Sequence, residues 1–333
     1  MTELFASLHR LLEPLLDPGH RVYWPFLLGS LLIAGVVALL RGRRALSGLL
    51  SPRLWLHRSS RLDAQLWLVK HVAKLAGLLV LPLSTLTVAR WTVRALTDHF
   101  DLMPTPDWSP WLVSGLFSVT LFVCWDLSRY LLHRLMHAVP ALWALHQVHH
   151  SAEVLTPMTF YRTHPIESLL YQLRGVLVAG ALTGVFFWLF QTNAQPWQLL
   201  GVSTFGFVFN LLGGNLRHSH VWLSYGPLER WLISPAQHQL HHADGCQRNY
   251  GAWLAVWDRV GGTLTFAGPE RELTFGLPTP NHRPDHLGSA LWRPMVDALR
   301  SALPSPPPTD EAVDDPHRLC HSAGWSPQAP ERP

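Results

Sequence analysis

Residues 126–150 read DLSRYLLHRLMHAVPALWALHQVHH. The stretch starts inside an apolar segment and ends in five histidines: His133, His137, His146, His149 and His150. A second cluster, HQLHH at 238–242, supplies His238, His241 and His242. The pattern H-x-x-x-H occurs once and H-x-x-H-H twice. On an α-helix, residues three and four apart share a face, so each box presents its imidazoles together. Neutral imidazole is the commonest biological ligand for iron, zinc and copper. Eight such nitrogens exceed one tetrahedral site and suit two metals. A chance tract or a charged helix face does not account for the same spacing appearing twice.

Working outward, the 333-residue chain is poor in charge: charged residues make up 14% and hydrophobic ones 48%, with 16 Trp. Average globular chains carry about 25% charged residues, and the deficit here lies in long apolar runs. The net charge of +4 is mild, and basic residues gather at Arg41, Arg43, Arg44, Arg53, Arg58 and Arg61. That distribution suits an anionic membrane face, and no nucleic-acid-binding signature is present. Cys124, Cys246 and Cys320 form no C-x-x-C pair, which argues against a disulfide framework or a cysteine zinc site.

The runs divide the chain. Residues 1–23 read as an interfacial amphipathic helix without a signal-peptide pattern. Residues 24–110 hold N-terminal membrane helices, with spans expected at Trp24–Leu40 and Leu66–Ala89. Residues 111–266 form the histidine-bearing domain, with spans at 111–132, Leu169–Phe190 and Trp197–Leu212. Residues 267–333 form a Pro-rich segment, expected to be disordered from about 304. The positive-inside rule puts 41–65 in the cytoplasm. An even number of crossings then separates the histidine clusters, so both face the cytoplasm. The expected fold is an all-α integral membrane protein of about 4–5 transmembrane helices, with a cytosolic helical cap carrying a His-rich dimetal site.

Asp126 lies two turns before His133 on the same face of an apolar helix. A buried carboxylate is costly without a partner, so Asp126 is expected to accept the second N–H of a liganding imidazole, with direct ligation as the alternative. The stretches DLSRYLLHRLMH, LWALHQVHHS, YRTHPIE, LRHSHVW, SPAQHQLHH and NYGAWLAVWDRVGGT resemble, in order and spacing over about 120–266, the fatty acid hydroxylase/sterol desaturase superfamily of integral membrane di-iron oxygenases. The resemblance implies metal ligation by His133, His137, His146, His149, His150, His238, His241 and His242, and by a further histidine best matched by His218. His220 stands where the family often has Asn, so His218, His220 or both remain candidates. His164 is a further candidate ligand, with a packing motif involving Glu167 as the alternative. Asp258 in the closing segment is a candidate support for a liganding histidine, with helix packing as the other reading.

The implied chemistry is oxidation of a lipid C–H bond by O2 with two iron ions, as hydroxylation or desaturation. No electron-donor motif is visible in the sequence, so electrons are expected from a separate ferredoxin or cytochrome b5-like carrier with its reductase. A bacterial inner membrane is the expected location. Three other classes compete. A zinc hydrolase would want H-E-x-x-H, which is absent. A metal transporter would want polar ligands at mid-membrane, where only Asp126 stands. A haem carrier would need one axial pair and leaves the doubled motif unexplained.

Overall fold

The computed structural model describes residues 12–42, 48, 51–101, 107–191, 195–199, 202–243, 246–277 and 284–301. Residues 1–11 and the tail from 302, for which an interfacial helix and disorder were expected, lie outside the described residues in whole or large part. Helices dominate, joined by short loops and one two-residue antiparallel pairing, Gln198–Leu199 with Val202–Ser203.

Helix α1, Trp24–Arg41, begins with proline in its first turn and ends at Gly42 in a left-handed conformation, φ 96°. It buries one stripe four residues apart, Phe26, Ser30, Ala34 and Ala38. Ala34 and Ala38 pack on Leu216 and Val221, while Leu31, Leu32, Val36, Leu39 and Leu40 stay exposed. Beyond Phe26 the helix buries only small side chains and exposes its large ones, an arrangement suited to lipid.

The run 66–89 does not form one span. Helix α2, Arg58–Leu75, stops at a turn containing Gly77 at φ 73°. Helix α3, Thr85–Phe100, starts afresh on Ser84, whose side chain accepts from Thr87 N. The breakers are local: Gly77 takes a conformation that other residues resist, and Pro82 lacks an amide donor and forces extended backbone before it.

Helix α4, Pro110–Ala138, is capped by Ser109 and runs 29 residues. At 1.5 Å per residue that is about 44 Å, longer than the roughly 30 Å hydrocarbon core. Its final turns, with His133 and His137, therefore have length to spare beyond an apolar layer. Pro140 breaks the chain and starts α5, Pro140–His150. Helix α6, Pro165–Phe190, begins on His164. The expected return span over 197–212 is divided between the small hairpin and α7, Thr204–Leu211. Eight helical residues rise about 12 Å, too little to cross. Helix α8, Pro235–His242, follows, then α9, Val256–Val260, and α10, Leu287–Ser301.

Three helices among the described residues are long and apolar enough to span a membrane: α1, α4 and α6. The chain is an integral membrane protein, but its histidine clusters are joined by packing in the cap, and the span parity read from sequence does not decide it. Helices α3 and α6 cross closely at Gly180 and Gly184. A Cβ on Gly180 would lie 2.5 Å from the Val88 Cβ, and one on Gly184 would lie 2.7 Å from the Ala89 carbonyl. This is a small-x-x-x-small contact, in which glycine lets two backbones approach. On the cap, α10 closes over α5 and α2 through Leu62, Leu66, Val148 and Ala290.

Overpacking a tight contact costs about 1–3 kcal/mol. Gly184→Leu should lower the melting midpoint of the detergent-solubilised protein by several degrees. Gly35→Leu, where an added Cβ meets nothing within 4 Å, should leave it unchanged. Equal midpoints for the two variants would contradict the crossing.

Candidate metal centre

The end of α4, all of α5, the turn Gly214–His218 and α8 converge on one point. Each has a local reason to hold its place. Ser234 caps α8 in a reciprocal box with Gln237, which puts every residue of that helix in the interior. Ser234 Oγ also donates to the buried Glu229, whose other oxygen accepts from Ala267 N.

The imidazoles fall into two groups. His133, His137, His146, His150 and His241 form one; His149, His218, His238 and His242 form the other. Within each group the candidate ligand atoms lie within 4.8 Å of one another. The groups adjoin where the rings of His150 and His242 stack at 4.5 Å. Each H-x-x-H-H box is split between them, because its residues sit at different angles around their helix.

The nitrogens are orientated from behind. His133 Nδ1 donates to the Tyr250 carbonyl at 2.8 Å, His241 Nδ1 to the Arg248 carbonyl at 2.8 Å, and His149 Nδ1 to the Arg162 carbonyl at 3.2 Å. His146 Nδ1 faces the Glu167 carboxyl at 2.9 Å, both groups being almost wholly buried. A carbonyl can only accept, so these rings carry their proton on Nδ1 and offer a bare Nε2. The bare nitrogens face each other: His133 and His241 Nε2 are 3.1 Å apart, and His218 and His149 Nε2 are 3.2 Å apart. His137, His146 and His150 Nε2 are buried with no hydrogen-bond partner.

Lone pairs directed at each other in a dry interior are unstable unless a cation lies between them. Metal–nitrogen bonds of about 2.1 Å at right angles put neighbouring nitrogens about 3.0 Å apart. The nine imidazoles fit two metal ions on this ground. Burial supports the fit, since it holds the rings neutral: His149 is pushed down to about 3, and His150, His218, His238, His241 and His242 lie well below the ordinary imidazole value, with neighbouring histidines adding to the effect.

Asp126 stands differently from its expected role. It is fully buried, and its oxygens accept from Trp253 N at 3.1 Å, Leu254 N at 2.9 Å and Trp257 Nε1 at 3.0 Å. None of these is an imidazole. Asp126 ties α4 to the 250–258 loop, whose Tyr250 carbonyl orientates His133. Asp258 reinforces the same loop, accepting from Tyr250 N, Gly251 N and Thr263 Oγ1. Asn249 turns the chain at φ 56° and bonds Gln237 O and Thr265 N, a backbone state that Asn tolerates. The carboxylate that faces an imidazole is Glu167.

His164 is outside both groups. Its Nδ1 accepts from Ile166 N and its Nε2 bonds the Leu291 carbonyl, so it caps α6 with both nitrogens engaged. His220 is exposed and outside both groups, whereas His218 is inside. The sequence reading missed Arg162. Its guanidinium is 2% exposed and bonds Val148 O, Ser151, Ser59 and Asp63, while its carbonyl holds His149. A cation inside so apolar a chain, in register with THPIE, was the available signal.

Alongside lies a cavity of about 470 Å³, lined by His133, His146, His149, His218 and His238 on one side. Trp67, Leu79, Phe160 and Tyr171 supply apolar wall.

Partners of liganding histidines typically alter metal affinity by about 10–100-fold. Glu167→Gln should weaken metal binding within that range in a competition titration against a chelator; unchanged affinity would remove Glu167 from the site's support. The sign of the pH effect also follows. His149 titrates near 3 when folded and near 6.5 when unfolded, so the unfolded chain binds more protons between those values and stability falls as pH is lowered through that window. The metal-free protein should melt at progressively lower temperature below about pH 6.5. A flat profile by scanning fluorimetry would contradict neutral burial.

Comparison with known proteins agrees with this geometry. Residues 118–263 match the fatty acid hydroxylase family. The chain is 30% identical over 186 residues to alkylglycerol monooxygenase of Homo sapiens, covering 55% of this chain and 37% of that protein. It is 31% identical over 198 residues to the ornithine lipid hydroxylase OlsE of Rhizobium tropici, covering 57% and 51% respectively. It is 30% identical over 148 residues to a Delta(7)-sterol 5(6)-desaturase of Eremothecium gossypii, covering 44% and 36%. The chain spans about a third to a half of the length of these relatives. No solved structure gives a significant match. The histidine boxes lie inside the matched segment, so over 118–263 the chain is similar to the fatty acid hydroxylase family and, in part, to lipid hydroxylases and sterol desaturases.

Proposed function

We propose that this protein is a membrane-bound di-iron oxygenase that uses O2 and externally supplied electrons to hydroxylate or desaturate a C–H bond of a lipid. The observation that carries the reading is the pair of imidazole groups whose unprotonated nitrogens converge beside an apolar-walled cavity. His133, His137, His146, His150 and His241 would hold one iron, and His149, His218, His238 and His242 the other. Two irons with histidine ligands supply redox chemistry and leave positions for O2, which a closed four-cysteine zinc site does not.

The chain's own residues do the rest. The carbonyls of Tyr250, Arg248 and Arg162 keep each proton on Nδ1, so the nitrogens facing the centre stay free to ligate. Glu167 faces His146 Nδ1 at 2.9 Å and lies on the cavity wall. Asp126 and Asp258 act as positioning residues through the 250–258 loop. Trp67, Phe160 and Leu79 exclude water from the space in which a lipid chain would lie. The relatives include monooxygenase, hydroxylase and desaturase names, so this reading covers both outcomes of hydrogen abstraction. Electrons would come from a separate ferredoxin or b5-like carrier. The histidine cap would face the cytoplasm of a bacterial inner membrane, because the Arg41–Arg61 cluster marks that side.

Protein purified anaerobically in detergent should contain about two irons per chain, coupled to each other when oxidised, by elemental analysis and Mössbauer spectroscopy. His149→Ala and His241→Ala, one from each group, should each lose iron and all lipid-dependent O2 consumption while remaining in the membrane fraction. Zinc that persists and resists replacement by iron, or normal turnover in either variant, would overturn the reading.

A further inference from the structure

The wall of the cavity is also strongly cationic. Arg21, Arg129, Arg217, Lys70 and Lys74 all line it, against one acid, Glu167. Arg217 is only 6% exposed. Arg21 lies over the Phe160 ring at 4.7 Å and Arg129 over the Tyr171 ring at 5.3 Å. Among the described residues, none of the three arginines makes an ion pair with a carboxylate. Asp126, the nearest buried acid on the same helix as Arg129, spends both oxygens on Trp253, Leu254 and Trp257.

The contrast with the other buried arginine is informative. Arg162 has Asp63 at 2.9 Å and a full set of acceptors. There the fold supplies a carboxylate partner for the guanidinium. The cavity arginines have none, and they crowd each other: burial and the like charges of Arg217 and Arg129 depress the Arg21 guanidinium to about 9. Arginine keeps its proton at neutral pH, so the depression measures a cost that a bound anion would relieve. Gly214 keeps room for the group, since a Cβ there would sit 2.9 Å from Arg21 Nη1.

We propose that this cavity recognises a lipid bearing a phosphate head group, with the phosphate seated on Arg21, Arg129 and Arg217 and an acyl or alkyl chain lying against Trp67, Leu79 and Phe160. Five cations against one carboxylate call for a ligand of more than one negative charge. The planar forked donors of arginine match phosphate oxygens in pairs. Lys74, exposed at the rim of the cavity, adds attraction at the entry. The proposal rests on the oxygenase reading only in treating this cavity as the substrate site; the recognition itself is a binding property.

The test is binding to the full chain in a neutral maltoside detergent, by microscale thermophoresis, with dodecyl phosphate, dodecanoate, dodecanol and inorganic phosphate. Charge-assisted hydrogen bonds of about 1.5–3 kcal/mol correspond to at least about tenfold in affinity. Dodecyl phosphate should therefore bind at least about tenfold tighter than dodecanol, and also tighter than dodecanoate and inorganic phosphate. Arg21→Gln and Arg129→Gln should each remove most of that advantage without changing dodecanol binding. Lys74→Gln, at an exposed position, guards against misfolding and should weaken dodecyl phosphate by a smaller factor. Equal binding of dodecyl phosphate and dodecanol would overturn the proposal, as would unchanged binding in both arginine variants. Dodecanoate matching dodecyl phosphate would overturn the choice of phosphate, and inorganic phosphate matching it would overturn a lipid. Measured on metal-loaded and metal-stripped protein alike, head-group preference persisting in a chain that takes up no iron would separate failure of the oxygenase reading from failure of this one.

Discussion

Nine imidazoles pressed ring against ring in a dry interior must each be told which nitrogen keeps the proton. Without that instruction the rings would pair with one another and present donors and acceptors at random. Backbone carbonyls give the instruction here. Tyr250, Arg248 and Arg162 place their oxygens behind His133, His241 and His149, and Glu167 stands behind His146. In His133, His241 and His149 the lone pair on Nε2 therefore faces inward, where a cation can satisfy it. The rest of the cap exists to keep those acceptors still.

That requirement explains the buried charges. Asp126, Asp258, Glu229 and Asp63 are each at most 1% exposed, a heavy desolvation cost for carboxylates. Each offsets it with hydrogen bonds, to distant elements for Asp126 and Asp63 and mostly within one loop for Asp258 and Glu229. Asp126 and Asp258 fix the loop that carries Tyr250; Glu229 fixes the cap of α8; Asp63 fixes Arg162 and thus the carbonyl behind His149. Removing any of them would leave the imidazoles present but free to turn. The cavity arginines are the exception to this economy, and their lack of partners is what distinguishes a recognition surface from a structural one.

The membrane part follows other rules. Helices α1, α4 and α6 expose large apolar side chains such as Leu31, Leu116 and Leu177, which is stable only against lipid. Contacts between helices rely on small residues, with Gly180 and Gly184 letting α3 approach α6. Helix α4 joins the two regimes. It is apolar at Val113 and Phe117, carries Asp126 where it meets the cap loop, and ends in His133 and His137.

The sequence by itself determined the all-helical membrane class and the nine histidines that come together, because both rest on local pattern. Hydrophobic runs and a repeated spacing are readable without knowing what packs on what. Only the tertiary structure decided which histidines share a group, since each H-x-x-H-H box contributes to both. It decided between His218 and His220, which lie two residues apart but point to the interior and to solvent respectively. It moved the carboxylate facing an imidazole from Asp126 to Glu167, and it split the run at 66–89, where one span was expected, at Gly77 and Pro82. The ligand grouping and the place of Glu167 depend on contacts between residues distant in the chain, such as His146 with Glu167 and His133 with His241, whereas the break at 66–89 is local. The physical reason is that a ligand set, a tautomer and an unpaired buried charge are properties of neighbours in space, and a chain read in order shows only neighbours along the backbone.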